Sequence, residues 1–225
     1  MRELNLLGEY PNPTKPRYVG KNIRTIDHRI IASKRSKEFF DGDRNYGYGG
    51  FKYDGRWKPI AKKICDEYNL NNSSKILQIG SEKGFLLHDI KELYPKMKIQ
   101  GLETSKYAKE NSMGSIKDQT HLVENYNKLL FQDNYFDFLI ALGVVYTHTL
   151  ADAIRLIKEI IRVSKKSFIT LASYENEKDY WLFKRWTILG STILKKDEWK
   201  KVLESEKYNG DYYFTNSQKL NLKEK

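Results

Sequence analysis

Apolar and polar positions follow two rhythms along most of this chain. Short, nearly continuous apolar runs occur at KILQI (75–79), MKIQGLE (97–103), HLV (121–123), FDFLIAL (136–142) and SFITLAS (167–173). Runs of that length predict strands buried on both faces. Between them the apolar positions return every three or four residues. Trp57, Ile60, Ala61, Ile64 and Tyr68 mark one helix, GFLLHDIKELY (84–94) a second that stops at Pro95, and SKYAKENS (105–112) a third with Ser105 as its N-cap. ADAIRLIKEIIRVS (151–164) is the most regular. After Ser173 come an aromatic helix in NEKDYWLFKRWTILG, an amphipathic helix in KKDEWKKVLESEKY and a late strand in GDYYFTN. Strand and helix taking turns in this way predict an α/β fold with a parallel sheet covered by helices on both faces.

The two ends of the pattern differ from its middle. Residues 1–40 show little periodicity and three early prolines, and read as an extended arm that lies on the domain or reaches a second copy in a homodimer. DGDRNYGYGGFKYDGRW (41–57) is a glycine- and tyrosine-rich turn segment. The domain proper is expected to span 41–225, with 174–195 as an insertion on the substrate side.

Composition narrows this modestly. With 225 residues and 40% hydrophobic content the chain can bury one full core. No apolar run approaches the roughly 20 residues of a membrane span, and the N-terminus lacks a signal-peptide core, so a cytoplasmic protein with no membrane partner is expected. The single cysteine, Cys65, has no disulfide partner, and the four histidines lack metal-ligand spacing. The net charge of +11 is spread thinly. It fits lysine-rich composition, an anionic small substrate or nucleic acid, in falling order of support.

The chemistry gathers after the first buried strand. Ile79 is followed by Gly80-Ser81-Glu82-Lys83-Gly84 and then a helix. Such a turn lets backbone approach a ligand and turns helix N-terminal amides toward polar groups. Glu103 ends the next strand, 19 residues after Gly84, where a carboxylate can accept two ribose hydroxyl protons. The G-x-x-x-G spacing is unlike the dinucleotide pattern G-x-G-x-x-G.

In several motifs the chain from about residue 41 to 215 resembles class I S-adenosylmethionine-dependent methyltransferases. ILQIGSEKGFLL is similar to the family's first motif, GLETS to the second, NYNKLLFQDNYFDFLIALGVVY to the adenine segment and fourth strand, and EIIRVSKKSFITLASY to the last helix and fifth strand. YGYGGFKYDGRW together with the DEW and YNGDYYF stretches is similar to a subgroup of small bacterial methyltransferases. The resemblance implies a Rossmann-like open twisted sheet, mostly parallel with a late antiparallel strand, and S-adenosyl-L-methionine as cofactor. It implies that Gly80, Ser81 and Gly84 line the methionine and ribose part and that Glu103 holds the ribose. Thr104, Asn125 and Tyr126 would border the adenine, with Leu142 and Gly143 near the sulfonium. Tyr53 and Arg56 would reach the cofactor's carboxylate.

Two positions depart from the family pattern. Gln78 replaces an acid that holds the methionine ammonium, and an amide accepts a weaker hydrogen bond than a carboxylate. Glu82 replaces the middle glycine, where a side chain crowds the ligand, demands a costly backbone conformation, or takes over the ammonium contact. An acceptor site is expected after the fourth strand, at GVVYTHTLAD, with Tyr146 and His148 as base candidates against their plainer readings as a packing tyrosine and a loop histidine. The function expected is methylation of O or N on a small molecule, with anionic sugar- or nucleotide-linked intermediates in view. RNA or protein methylation and a catalytically inactive binding protein are the alternatives.

Overall fold

The computed structural model describes residues 1–8, 10, 13, 15–48 and 51–225. Part of the arm and Gly49-Gly50 of the turn segment therefore lie outside the described residues. The elements in chain order are β1 (Arg17–Val19), α1 (Ile26–Ser33), α2 (Lys37–Asp41), α3 (Lys58–Glu67), β2 (Lys75–Ile79), α4 (Phe85–Leu93), β3 (Lys98–Glu103), α5 (Lys106–Glu110), β4 (Thr120–Leu122) and β5 (Phe138–Ala141). There follow α6 (Leu150–Val163), β6 (Ser167–Tyr174), α7 (Glu177–Trp186), β7 (Leu194–Lys195), α8 (Lys196–Ser205), β8 (Asp211–Thr215) and β9 (Leu222–Glu224). From α3 to β8 every helix and strand expected from periodicity is present, with ends shifted by a few residues.

The main sheet runs β4-β3-β2-β5-β6, and β6 then carries β8 along its body and β7 at its C-terminal end. Alternate side chains leave the strands on opposite faces. Ile76, Phe138, Ile140 and Phe168 join α3 and α4 in one core cluster, while Leu77, Leu139, Ala141, Ile169 and Leu171 join α6 and α8 in another. The open, Rossmann-like sheet with helices on both faces is therefore as expected.

Two expectations are corrected. The late strand is not antiparallel: Phe168 to Ala172 of β6 pair in rising register with Asp211 to Thr215 of β8, and β7 is parallel to β6 as well. The reason is the connection, because α8 carries the chain back across the sheet before β8 begins, and a crossover of that kind delivers a parallel neighbour. The stretch 1–40 is also more than an extended arm. Its first residues do lie on the domain, with Leu4 N–H donating to Tyr212 O at 2.8 Å and the Arg2 guanidinium reaching Asp211 at 2.7 Å. Residues 26–41, however, form α1 and α2, and β1 pairs with β9 in a small parallel sheet of its own. Phe39, Phe40 and Phe51 pack there with Ala108 and Ile188.

The chain leaves β2 outward to β3 and β4, then returns to add β5 on the other side of β2. That reversal opens a crevice above the C-terminal ends of β2 and β5, the place where open α/β sheets bind ligands.

Candidate functional site above strands β2, β3 and β5

The glycine loop forms because its own chain requires it. Gly80 and Gly84 have φ of +66° and +74°, in the left-handed region that L side chains avoid. A Cβ on Gly80 would stand 2.4 Å from Val144 Cγ2, and one on Gly84 2.2 Å from Ile116 Cδ1. Both glycines are thus fixed by backbone conformation and by packing within the protein. Glu82 between them also has positive φ, +51°, the costly conformation expected of a side chain at that position.

Glu103, at the end of β3, is fully buried. Its Oε1 accepts the N–H groups of Thr104 (2.9 Å) and Ser105 (2.8 Å), and its Oε2 accepts the N–H of Glu82 (2.7 Å). The acid at the end of one strand therefore holds the loop after its neighbour. A fourth partner was not anticipated: Arg35, from the turn between α1 and α2, donates from Nη2 to Oε1 at 3.1 Å. Lys83 adds a second tie to the same N-terminal layer, 2.7 Å from both oxygens of Asp41 at the end of α2.

Two cavities meet at this loop. The larger, about 560 Å³, has Thr104, Asn125, Tyr126 and His148 in its wall, with Arg35 and Arg29 from the N-terminal layer. The smaller, about 200 Å³, has Gln78, Ser81, Gly84 and Tyr146, roofed by Tyr10, Tyr48 and Trp186. Gly80, Glu82, Leu142 and Gly143 belong to both. Twelve of the fifteen residues singled out from sequence line one wall or both, and Glu103 lies directly beneath through its bond to Glu82. Two of the twelve carry a buried polar atom that has no hydrogen bond among the described residues, Gln78 through Oε1 and Ser81 through Oγ. Buried polar atoms are nearly always satisfied, so the two mark where a ligand would complete the wall.

Tyr53 and Arg56 stand elsewhere. The Tyr53 hydroxyl donates to Asp89 Oδ1 at 2.5 Å, and Arg56 pairs with Asp54. Neither lines either of these two cavities; Arg56 lies behind Tyr10, its guanidinium carbon 5.9 Å from that ring. Tyr10, which sequence reasoning passed over, takes the wall position.

Electrostatics differ from side chain to side chain. Burial pushes the Glu82 carboxyl up to about 7, with Glu103 adding to the shift and Arg35 opposing it. Burial also raises the Tyr146 phenol far above its ordinary value, so it stays protonated and acts as a donor. His148 has Nδ1 3.0 Å from the carbonyl oxygen of Val144. A carbonyl only accepts, so Nδ1 carries the hydrogen and the Nε2 lone pair is left free to take a proton.

Comparison with known proteins agrees with this geometry. Residues 77–169 match the family model of a methyltransferase domain. The fold is similar to that of the YcgJ protein from Bacillus subtilis, at 14% identity and a TM-score of 0.53, covering 65% of this chain and 66% of that one. It is also similar to a protein of Bacillus halodurans C-125 described as a candidate methyltransferase, at 17% identity and a TM-score of 0.53, covering 65% and 67%. A SAM-dependent methyltransferase from Aquifex aeolicus aligns at 17% identity over 81% of this chain and 88% of its own, with a TM-score of 0.48. The match to YcgJ thus spans just under two thirds of that protein. No protein of curated function matches the sequence.

Proposed function

We propose that the chain is a methyltransferase of the class I fold that binds S-adenosyl-L-methionine across the two cavities and methylates O or N of a small molecule. The observation that carries this reading is Glu103: a buried acid at the end of β3, bonded to the glycine loop beneath the wall shared by both cavities. In this reading Glu103 holds the ribose, and Thr104, Asn125 and Tyr126 enclose the adenine. Gln78, Ser81 and Glu82 hold the methionine end, between Gly80 and Gly84. The orphaned Gln78 Oε1 and Ser81 Oγ suit an ammonium and a carboxylate respectively, since an amide oxygen accepts and a hydroxyl donates.

The cofactor, when bound, supplies an already activated methyl group, so the protein's part is alignment and removal of the acceptor's proton. Leu142 and Gly143, in the wall common to both cavities, border the reacting centre. His148 serves as the base through Nε2, its ring fixed by the Nδ1 contact to Val144 O. Tyr146, kept protonated by burial, orients the acceptor as a hydrogen-bond donor.

An anionic acceptor, such as a sugar- or nucleotide-linked intermediate, is supported by four arginines near the roof. Arg17 and Arg24 lie 5.8 and 4.7 Å from the centre of the Trp186 ring, and Arg29 lines the larger cavity. Burial holds Arg24 down to about 10, with Arg44, Arg17 and Arg29 pushing the same way. Among the described residues no carboxylate pairs with any of the four; Arg24 and Arg29 meet backbone carbonyls instead. Excess positive charge beside a small-molecule site favours phosphate or carboxylate groups.

Calorimetric titration with S-adenosylhomocysteine tests the cofactor half. Saturable binding is expected, weakened about tenfold or more in Glu103→Gln, where hydrogen bonds to a charged group are lost. Absence of binding by the unaltered protein overturns it. Methyl transfer to sugar phosphates over their parent sugars tests the acceptor half, and preference for the uncharged sugars overturns that.

A further inference from the structure

We propose that Arg35 is a ribose-binding residue, sharing the sugar's two hydroxyls with Glu103. This rests on the cofactor reading above and adds to it a residue from outside the motifs.

The argument begins with the capacity of the carboxylate. Each oxygen of Glu103 offers about two lone-pair directions. Among the described residues Oε1 already accepts from Thr104 N, Ser105 N and Arg35 Nη2, with the Thr104 hydroxyl at 3.5 Å, while Oε2 accepts from Glu82 N alone. One acceptor direction remains, on Oε2. A vicinal diol presents two hydroxyls, so the second needs a partner other than Glu103.

Arg35 is built to be that partner. Its guanidinium carbon lies 5.2 Å from the Phe39 ring centre and 5.4 Å from that of Phe40. Its backbone carbonyl takes the hydroxyl of Ser105, which caps α5. The residue sits at φ +46°, in the left-handed region that L side chains avoid. The chain therefore holds this guanidinium against Glu103 from several sides. Of its five N–H donors one is used on Glu103, and Nε has no acceptor among the described residues. The side chain shares the wall of the larger cavity with Gly80 and Thr104. A hydroxyl both donates and accepts, so one ribose hydroxyl donates to Oε2 and the other accepts from Arg35. The ion pair also leaves this part of the wall close to neutral, as an uncharged sugar prefers.

The test is calorimetric titration with S-adenosylhomocysteine and with its 2′-deoxy and 3′-deoxy analogues, on the unaltered protein, Arg35→Met and Arg35→Lys. The expected result is that Arg35→Met weakens S-adenosylhomocysteine about tenfold or more, while one of the deoxy analogues binds that variant and the unaltered protein alike. Arg35→Lys, which keeps the charge on a narrower donor, should fall between, and it supplies the comparison if the methionine variant does not fold. Equal weakening of all three ligands would make Arg35 merely structural. Unchanged or tighter binding of S-adenosylhomocysteine would make it a counter-ion that the ribose displaces. Either result overturns the proposal. No binding by the unaltered protein would instead remove the cofactor reading on which it stands.

Discussion

The glycine loop and the N-terminal layer both bend the backbone through positive φ, the loop at Gly80, Glu82 and Gly84 and the layer at Asn22, Arg24 and Arg35. In the loop two of the three positions are glycine, and the conformation is written into residue type. In the layer all three carry side chains, and two are arginines that spend the cost on distant contacts. Arg24 reaches the carbonyl of Trp186, 162 residues away, and Arg35 reaches Glu103, 68 residues away. One region is shaped by local rules, the other by what its side chains find across the fold. The sheet beneath the loop should therefore be stable by itself, while the layer depends on a small apolar cluster around Phe39, Phe40 and Phe51 and on these polar anchors.

Substitutions can break that contrast, and the largest effect belongs to the sheet. Trp199 on α8 is fully buried and donates from Nε1 to Ala172 O on β6 at 2.7 Å. Trp199→Ala should cost about 3–5 kcal/mol, which for a chain of this size lowers the thermal midpoint by roughly 2–4 °C per kcal/mol. Arg24→Met should do less, and do it locally. It removes donors from Trp186 O and Gly47 O and a cation 5.2 Å from the Tyr48 ring, for about 1–3 kcal/mol. Amide exchange should quicken over residues 24–48 and 182–189, with protection in β2, β5 and β6 unchanged. Equal loosening of the sheet strands would show that layer and sheet unfold as one unit, and the distinction would fail.

The same contrast explains what the sequence discloses. From α3 to β8 the periodicity of 3.6 and the continuous apolar runs locate every element but the two-residue β7, because burial against a parallel sheet imposes those patterns. Gly80, Gly84 and Glu103 were legible for a related reason: turn and strand end are short-range features. β8 was found but its direction was not, since direction depends on the path of α8 and not on the apolar positions of DYYFT. Arg35 was invisible. Nothing in ASKRSKEFF distinguishes a guanidinium seated on a buried acid from one in solvent, and the clue that could have been read was only Ser36 as a cap for a short helix. Tyr53 and Arg56 show the same limit, being near the site in sequence while their side chains bond to Asp89 and Asp54.

Glu82 lies on the boundary between the two regions, in the motif by position but held like the arginines of the layer, and its titration gives the smallest effect. Its carboxyl, 3.9 Å from Arg35 Nη2, is pushed up to about 7 by burial, against an ordinary value of 4.5. The folded protein therefore binds this proton more tightly than the unfolded chain. Its contribution to stability is full below pH 4.5 and is lost as pH rises toward 7. Affinity for a cationic ammonium runs the other way, because only the ionised carboxylate attracts it. If Glu82 has taken the role that Gln78 cannot fill, S-adenosylhomocysteine should bind about twofold to fivefold more tightly at pH 8 than at pH 6. The effect is small because the side chain is 40% exposed, and partly solvated ion pairs contribute about 1 kcal/mol or less. Dissociation constants measured at both pH values should show that rise in the unaltered protein and a flat profile in Glu82→Gln. The same slope in both would assign the titration to another group and leave the ammonium with Gln78, whose amide oxygen has no partner among the described residues.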